Sequence, residues 1–324
     1  MQNLSVGATY ARLEHFPAAF FAMVMGLTGL TLAWQQAARI VDAPLLISQL
    51  LLWFSVLVFV LIAATYGYKL VRHRQAVMDE FHHPIKMSFF PAFSISLILM
   101  SVATMAVSMS LSKILWMLGC VLHLCFTLYV LGQWLHHPRF EVAHSTPAWF
   151  IPVVGNILVP IAGVGHGQLE VSWFFFSIGL VYWIILKTLI FNRLFFHDPL
   201  PQKLLPTLFI LIAPPAVGFI SYIKLNGGLD NFARILFYAA LFLLLLLLSQ
   251  LPKFTKIGFF MSWWAYSFPL AASTVASLLM LELQPSAFMH NLATLLLIVT
   301  SGVILMLLIR TLRAVWRGDI FQPD

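Results

Sequence analysis

Residues 231–250 read NFARILFYAALFLLLLLLSQ, and residues 257–281 read IGFFMSWWAYSFPLAASTVASLLML. The first stretch is apolar without a break from Leu241 to Leu248. About 20 such residues make a helix as long as the hydrocarbon core of a bilayer is thick. The second stretch carries Pro269 behind two tryptophans and a phenylalanine, and small residues follow it at Ala271, Ala272, Ser273 and Thr274. Proline removes a backbone donor and frees a carbonyl, which then needs a partner from protein or water. A straight apolar helix can face lipid. A broken one belongs inside a bundle or beside an aqueous path.

The same contrast repeats along the chain. Ten apolar segments are predicted, at about 16–36, 44–68, 85–108, 111–134, 147–165, 169–191, 204–224, 231–250, 257–281 and 287–310. Odd segments or their first turns hold Pro17, Pro91, Pro147, Pro152, Pro160, Pro206, Pro214, Pro215 and Pro269, whereas the even ones hold only Pro44, at the start of the second. The expectation is an all-α integral membrane protein, one transmembrane domain over residues 1–324. Its ten helices form five hairpins, each with a kinked inner helix and a straight outer one, around a central pore.

Composition agrees with the segments. Charged residues make up 9% of the chain and hydrophobic ones 61%, with a mean hydropathy of +0.94. A soluble chain carries about 25% charged residues, so soluble enzymes, secreted scaffolds and disordered segments are excluded. Cys120 and Cys125 share one apolar run and read as packing residues. No cleavable leader is expected, because Arg12, Glu14 and His15 precede an apolar run that continues to Trp34.

Topology follows from the cations. All 18 Lys and Arg residues except Arg39, Lys113, Lys224 and Arg234 fall on one side, Arg12 and Arg139 among them. The positive-inside rule makes that side cytoplasmic and places both termini there. The net charge of +7 reflects these basic loops, and no nucleic-acid partner is expected.

The odd segments offer small and weakly polar side chains. No Asp or Glu lies in the middle of any segment, although cation channels use carboxylate rings and proton pumps use buried carboxylates or His. A basic mouth and helix N-termini would draw anions. Of the eleven histidines only His123 lies deep, which favours a hydrogen-bonded packing role over paired haem ligation. The pairs His82–His83 and His136–His137 abut loop prolines and read as interfacial. No catalytic set, metal site or cofactor motif is present.

The ninth segment, Ser262-Trp263-Trp264-Ala265-Tyr266-Ser267-Phe268-Pro269-Leu270, resembles the ninth helix of the slow-type anion channels of plant guard cells and of bacterial TehA. Phe16-Pro17 with Phe21, Gly26, Gly29 and Ala33-Trp34 resembles the opening helix of that family. His83 to Phe89, Pro147 to Asn156 and Ala213-Pro214 to Gly228 resemble its third, fifth and seventh helices. The resemblance implies five hairpins in quasi-five-fold arrangement, a homotrimer with one pore per protomer, and an anion channel blocked by a phenylalanine on the ninth helix. Phe268 holds that position. Ala22 stands where TehA-like sequences have glycine, which implies a different pore width there. Kinase control through the long tails of the plant channels is not expected of this chain.

The expectation is a gated channel for small monovalent anions such as chloride and nitrate in the cytoplasmic membrane, in contact with lipid and closed by Phe268. Expected pore-lining residues are Phe21, Ala22, Ser94, Asn156 and Ser221, with Lys86 at the cytoplasmic mouth. Phe21 and Asn156 follow from the resemblance, Ser94 and Ser221 from polarity alone. The rivals are a carrier or efflux protein for an oxyanion such as sulfite, or for a C4-dicarboxylate, and a membrane enzyme or haem protein. A dicarboxylate carrier would place Arg or Lys near mid-membrane, and no segment does so.

Overall fold

A computed structural model describes residues 13–136, 138 and 140–318. Arg12, His137, Arg139 and both termini lie outside the described residues. The crossings are α1 (Ala18–Ile40), α2 (Leu45–Arg72), α3 (Lys86–Thr104), α4 (Met109–His136), α5 (Pro147–Gly163), α6 (Leu169–Phe196), α7 (Gln202–Asn226), α8 (Asn231–Leu248), α9 (Met261–Leu283) and α10 (Ala287–Arg317). Among the described residues, nine of these are long and apolar enough to cross a membrane, and α5 is a shorter, broken segment. An all-α membrane protein is what the segment pattern predicts. A short helix, Arg74–His82, follows α2 and was not anticipated.

Each odd helix packs on the even helix that follows it, which makes the five hairpins. The odd helices also contact one another in the order α1, α3, α5, α7, α9 and back to α1, so they close a ring. Burial separates the two sets. In the most apolar stretch, 72, 78, 78 and 83% of residues are buried in α1, α3, α7 and α9. The figures are 22, 33, 33, 39 and 33% for α2, α4, α6, α8 and α10. Prolines therefore mark the helices whose backbone has protein neighbours on all sides.

Proline also shapes how the inner helices begin. Residues Lys86–Phe89 before Pro91, Gly155–Leu158 before Pro160, Gln202–Ile212 before Pro214 and Met261–Tyr266 before Pro269 are 3₁₀-helical. A proline cannot donate to the carbonyl four residues back and its ring collides with it, so the preceding turn tightens. Side chains complete the broken ladder of α5. Thr127 Oγ1 donates to the Pro152 carbonyl at 2.7 Å, and Asn156 Nδ2 to that of Val153 at 2.7 Å. Ser221 Oγ donates to the Ile157 carbonyl at 2.5 Å, and Trp116 Nε1 to that of Val159 at 3.0 Å. In a lipid environment these carbonyls have no water to fall back on.

Glycine lets outer helices reach the inner ring. A Cβ at Gly179 of α6 would lie 2.7 Å from the Ile157 backbone nitrogen of α5. Backbone cannot rotate away, so Gly179→Ala is expected to destabilise the protein by about 1–3 kcal/mol, as overpacking does. A thermal shift in detergent measures this, and an unchanged midpoint would show that the helices separate freely. At the far end of the bundle, Arg39 of α1 pairs with Glu282 of α9 at 2.6 Å.

Candidate functional site

All five inner helices run the same way, and their N-terminal ends meet around one cavity of about 1000 Å³. Ala19 and Ala22 of α1, Lys86 and Phe89 of α3, Ile151 of α5, Thr207 and Ile210 of α7, and Ala265 and Phe268 of α9 form its wall. The C-terminal turns of α10 close one side with Arg310, Arg313 and Arg317. The cavity lies at the basic end of the bundle. Its cations are Lys69, Lys86, Lys203 and those three arginines, against Glu14, Asp79 and Glu80. The positive ends of five helix dipoles add to this field. The cavity is thus a vestibule of net positive charge.

Phe268 is half-buried and belongs to both the vestibule wall and the apolar core. It follows the 3₁₀ turn Met261–Tyr266 and directly precedes Pro269, so the proline-induced break sets its direction. Across from it, α1 presents bare backbone. A Cβ at Gly29 would sit 3.4 Å from Phe268 Cδ2 and 2.9 Å from the Ala271 Cβ. One turn earlier, a Cβ at Gly26 would collide with Ser267. These two glycines bring α1 and α9 together and leave room for the aromatic ring between them.

Of the residues singled out in the sequence, Ala22, Lys86 and Phe268 come together in the vestibule wall. The other four have other surroundings. Phe21 is buried against the rings of Phe59, Tyr66 and Phe93, at centroid distances of 6.2, 6.2 and 5.1 Å. Ser94 donates to the Pro91 carbonyl at 2.8 Å and bonds His123 Nδ1 at 2.9 Å, between α3 and α4. Asn156 and Ser221 serve the carbonyls of α5, as described above. The hydroxyls of Ser94 and Ser221, chosen for their polarity, donate to backbone carbonyls near the proline breaks. His123 is fully buried and hydrogen-bonded, the packing role expected of it.

The relation of this chain to known proteins matches the geometry. Residues 15–312 match the family described as SLAC1, voltage-dependent anion channel. The chain belongs to the SLAC1 family. It is 28% identical over 96% of its length to the S-type anion channel SLAH3 of Arabidopsis thaliana, covering 50% of that protein. It is 26% identical over 96% of its length to the guard cell S-type anion channel SLAC1 of the same plant, covering 58% of it. It is also 26% identical over 79% of its length to the tellurite resistance protein TehA homolog of Haemophilus influenzae, covering 78% of it. The chain spans about half the length of the plant relatives it matches.

One structural feature of this SLAC1-family chain had no legible motif. Lys69, at the end of α2, pairs with Glu80 of the helix Arg74–His82 at 2.8 Å, with both side chains buried. Glu80 also accepts from the Ala18 amide at 2.6 Å and from Tyr66 Oη at 3.1 Å. Lys69 Nζ donates to the Phe16 carbonyl at 2.9 Å. The carboxylate thus caps the N-terminus of α1, where a helix dipole favours negative charge. The only sequence signal was a Lys and a Glu eleven residues apart flanking a polar connector.

Proposed function

We propose that this chain is a gated channel for small monovalent anions, chloride and nitrate among them, with the vestibule open to the cytoplasm and Phe268 as its gate. The observation that carries the reading is the position of Phe268 at the vestibule wall, where the N-termini of all five inner helices converge. A hydrated anion is drawn in by the Lys and Arg side chains and the helix dipoles. It then meets an aromatic ring in place of water. The family membership supports anions as the transported class. The basic side is taken as cytoplasmic by the positive-inside rule, and the homotrimer implied by the resemblance is part of the same proposal.

Purified protein in a planar bilayer under a tenfold potassium chloride gradient tests it. The expected reversal potential lies near the chloride equilibrium potential, and it stays there when potassium is replaced by a large organic cation. A reversal near the potassium potential overturns the anion reading. Flux that requires a proton or sodium gradient, without unitary current steps, would instead establish a carrier, as the transporter names of some relatives suggest.

A further inference from the structure

The vestibule holds more positive charge than a path for single monovalent ions requires. Arg310, Arg313 and Arg317 lie at i, i+3 and i+7, on one face of the end of α10, and all three line the cavity. Seven residues of helix span about 10 Å, several times the radius of a halide ion. Among the described residues, the ion pairs are Arg39–Glu282 and Lys69–Glu80, so no carboxylate pairs with these three guanidinium groups. The Arg310 guanidinium also lies over the Trp263 ring, 5.3 Å from its centre. Next to it, Trp264 Nε1 donates to Thr311 Oγ1 at 2.9 Å. These two contacts fix the arginine-bearing turns to the 3₁₀ segment that leads into Phe268.

Guanidinium groups bind phosphate oxygens in pairs, with two parallel N–H donors each, and a row of three favours a chain of linked phosphates over a single charge. A cavity of about 1000 Å³ is large enough for a compound of nucleotide size. The geometry points to a binding site in the vestibule for a soluble anion bearing two or more linked phosphates, held by Arg310, Arg313 and Arg317. Its occupant stands between the solution and Phe268. Binding is independent of the channel reading given above, whereas obstruction of ion flow by the occupant rests on it.

Titration of the full chain with inorganic pyrophosphate, in nanodiscs of phosphatidylcholine alone, tests the site by calorimetry. Saturable binding is expected that weakens steeply with salt. R310Q/R313Q/R317Q should weaken it by about tenfold or more, and so should Arg313→Gln in part, a change at an exposed position that the fold tolerates. Lys253→Gln with Lys256→Gln, outside the cavity, should leave it unchanged. Absence of saturable binding at low salt overturns the proposal, as does equal loss in the Lys253/Lys256 variant. A repeat in nanodiscs containing phosphatidylglycerol separates the two sources of phosphate. Retained binding supports a soluble ligand, and abolished binding assigns the arginines to lipid headgroups and overturns it. Pyrophosphate binding by a protein that passes no chloride would sink the channel reading and leave this site standing.

Discussion

Phe268→Ala is expected to raise anion current by about tenfold or more, because removing only ~1.4 kcal/mol from a barrier is worth that factor. On the channel proposal, an anion in the vestibule reaches this ring among apolar wall residues such as Ala22, Met25 and Ile210. Stripping or thinning a hydration shell against an apolar wall without a compensating hydrogen bond is expensive. Truncation to a methyl group removes that wall and lets water fill the space. The glycine surface opposite, at Gly29, has no side chain with which to close the gap. Phe268 is only half-buried, so the truncation should cost less than the about 3–5 kcal/mol of a fully buried Phe→Ala change. Current recorded at matched protein density in the bilayer measures the effect. Phe268→Leu should fall between the two, since it narrows the side chain without removing it. Wild-type current in a folded Phe268→Ala protein would move the gate elsewhere.

Lys69→Met is expected to cost about 3–5 kcal/mol of stability, the usual range when one partner of a buried pair is removed. Methionine matches the lysine stem in length but leaves the Glu80 carboxylate buried at 7% side-chain exposure with no counter-charge. It also removes the hydrogen bond that Lys69 Nζ donates to the Phe16 carbonyl. The start of α1, the end of α2 and the helix Arg74–His82 should loosen together, since all three meet at this pair. The thermal midpoint in detergent reads the loss. Lys69→Met combined with Glu80→Gln should recover part of it, because glutamine keeps an acceptor for the Ala18 amide and removes the unpaired charge. A double variant no more stable than the single one would show that the ion pair is not the source of the effect.

The helices themselves were legible because two simple constraints act along the chain. A membrane crossing needs an apolar stretch of fixed length, and every segment drawn from the sequence overlaps an observed one. Proline needs a protein or water partner for the carbonyl it frees, so its distribution separated inner from outer helices before any fold was known. The site was only partly legible. Ala22, Lys86 and Phe268 share the vestibule wall, whereas Ser94 and Ser221, chosen for polarity, and Asn156, chosen from the resemblance, hydrogen-bond to carbonyls and to His123. A hydroxyl on a kinked helix looks the same in sequence whether it faces a pore or a neighbouring backbone. Phe21, chosen from the resemblance, packs edge-on against Phe93 at 5.1 Å, a contact between α1 and α3 that the chain does not spell out.

The sequence by itself determined that this chain crosses a membrane many times, which crossings are buried, which end of the bundle is basic, and that no fixed negative charge lies at mid-depth. Those properties depend on composition and spacing, which a linear chain carries openly. The tertiary structure decided that five helix N-termini, three arginines of α10 and Phe268 share a single cavity. It also decided that Glu80 caps a helix 62 residues away in sequence. Such juxtapositions depend on the direction in which each side chain leaves its helix, and that direction is set by packing between segments far apart in the chain.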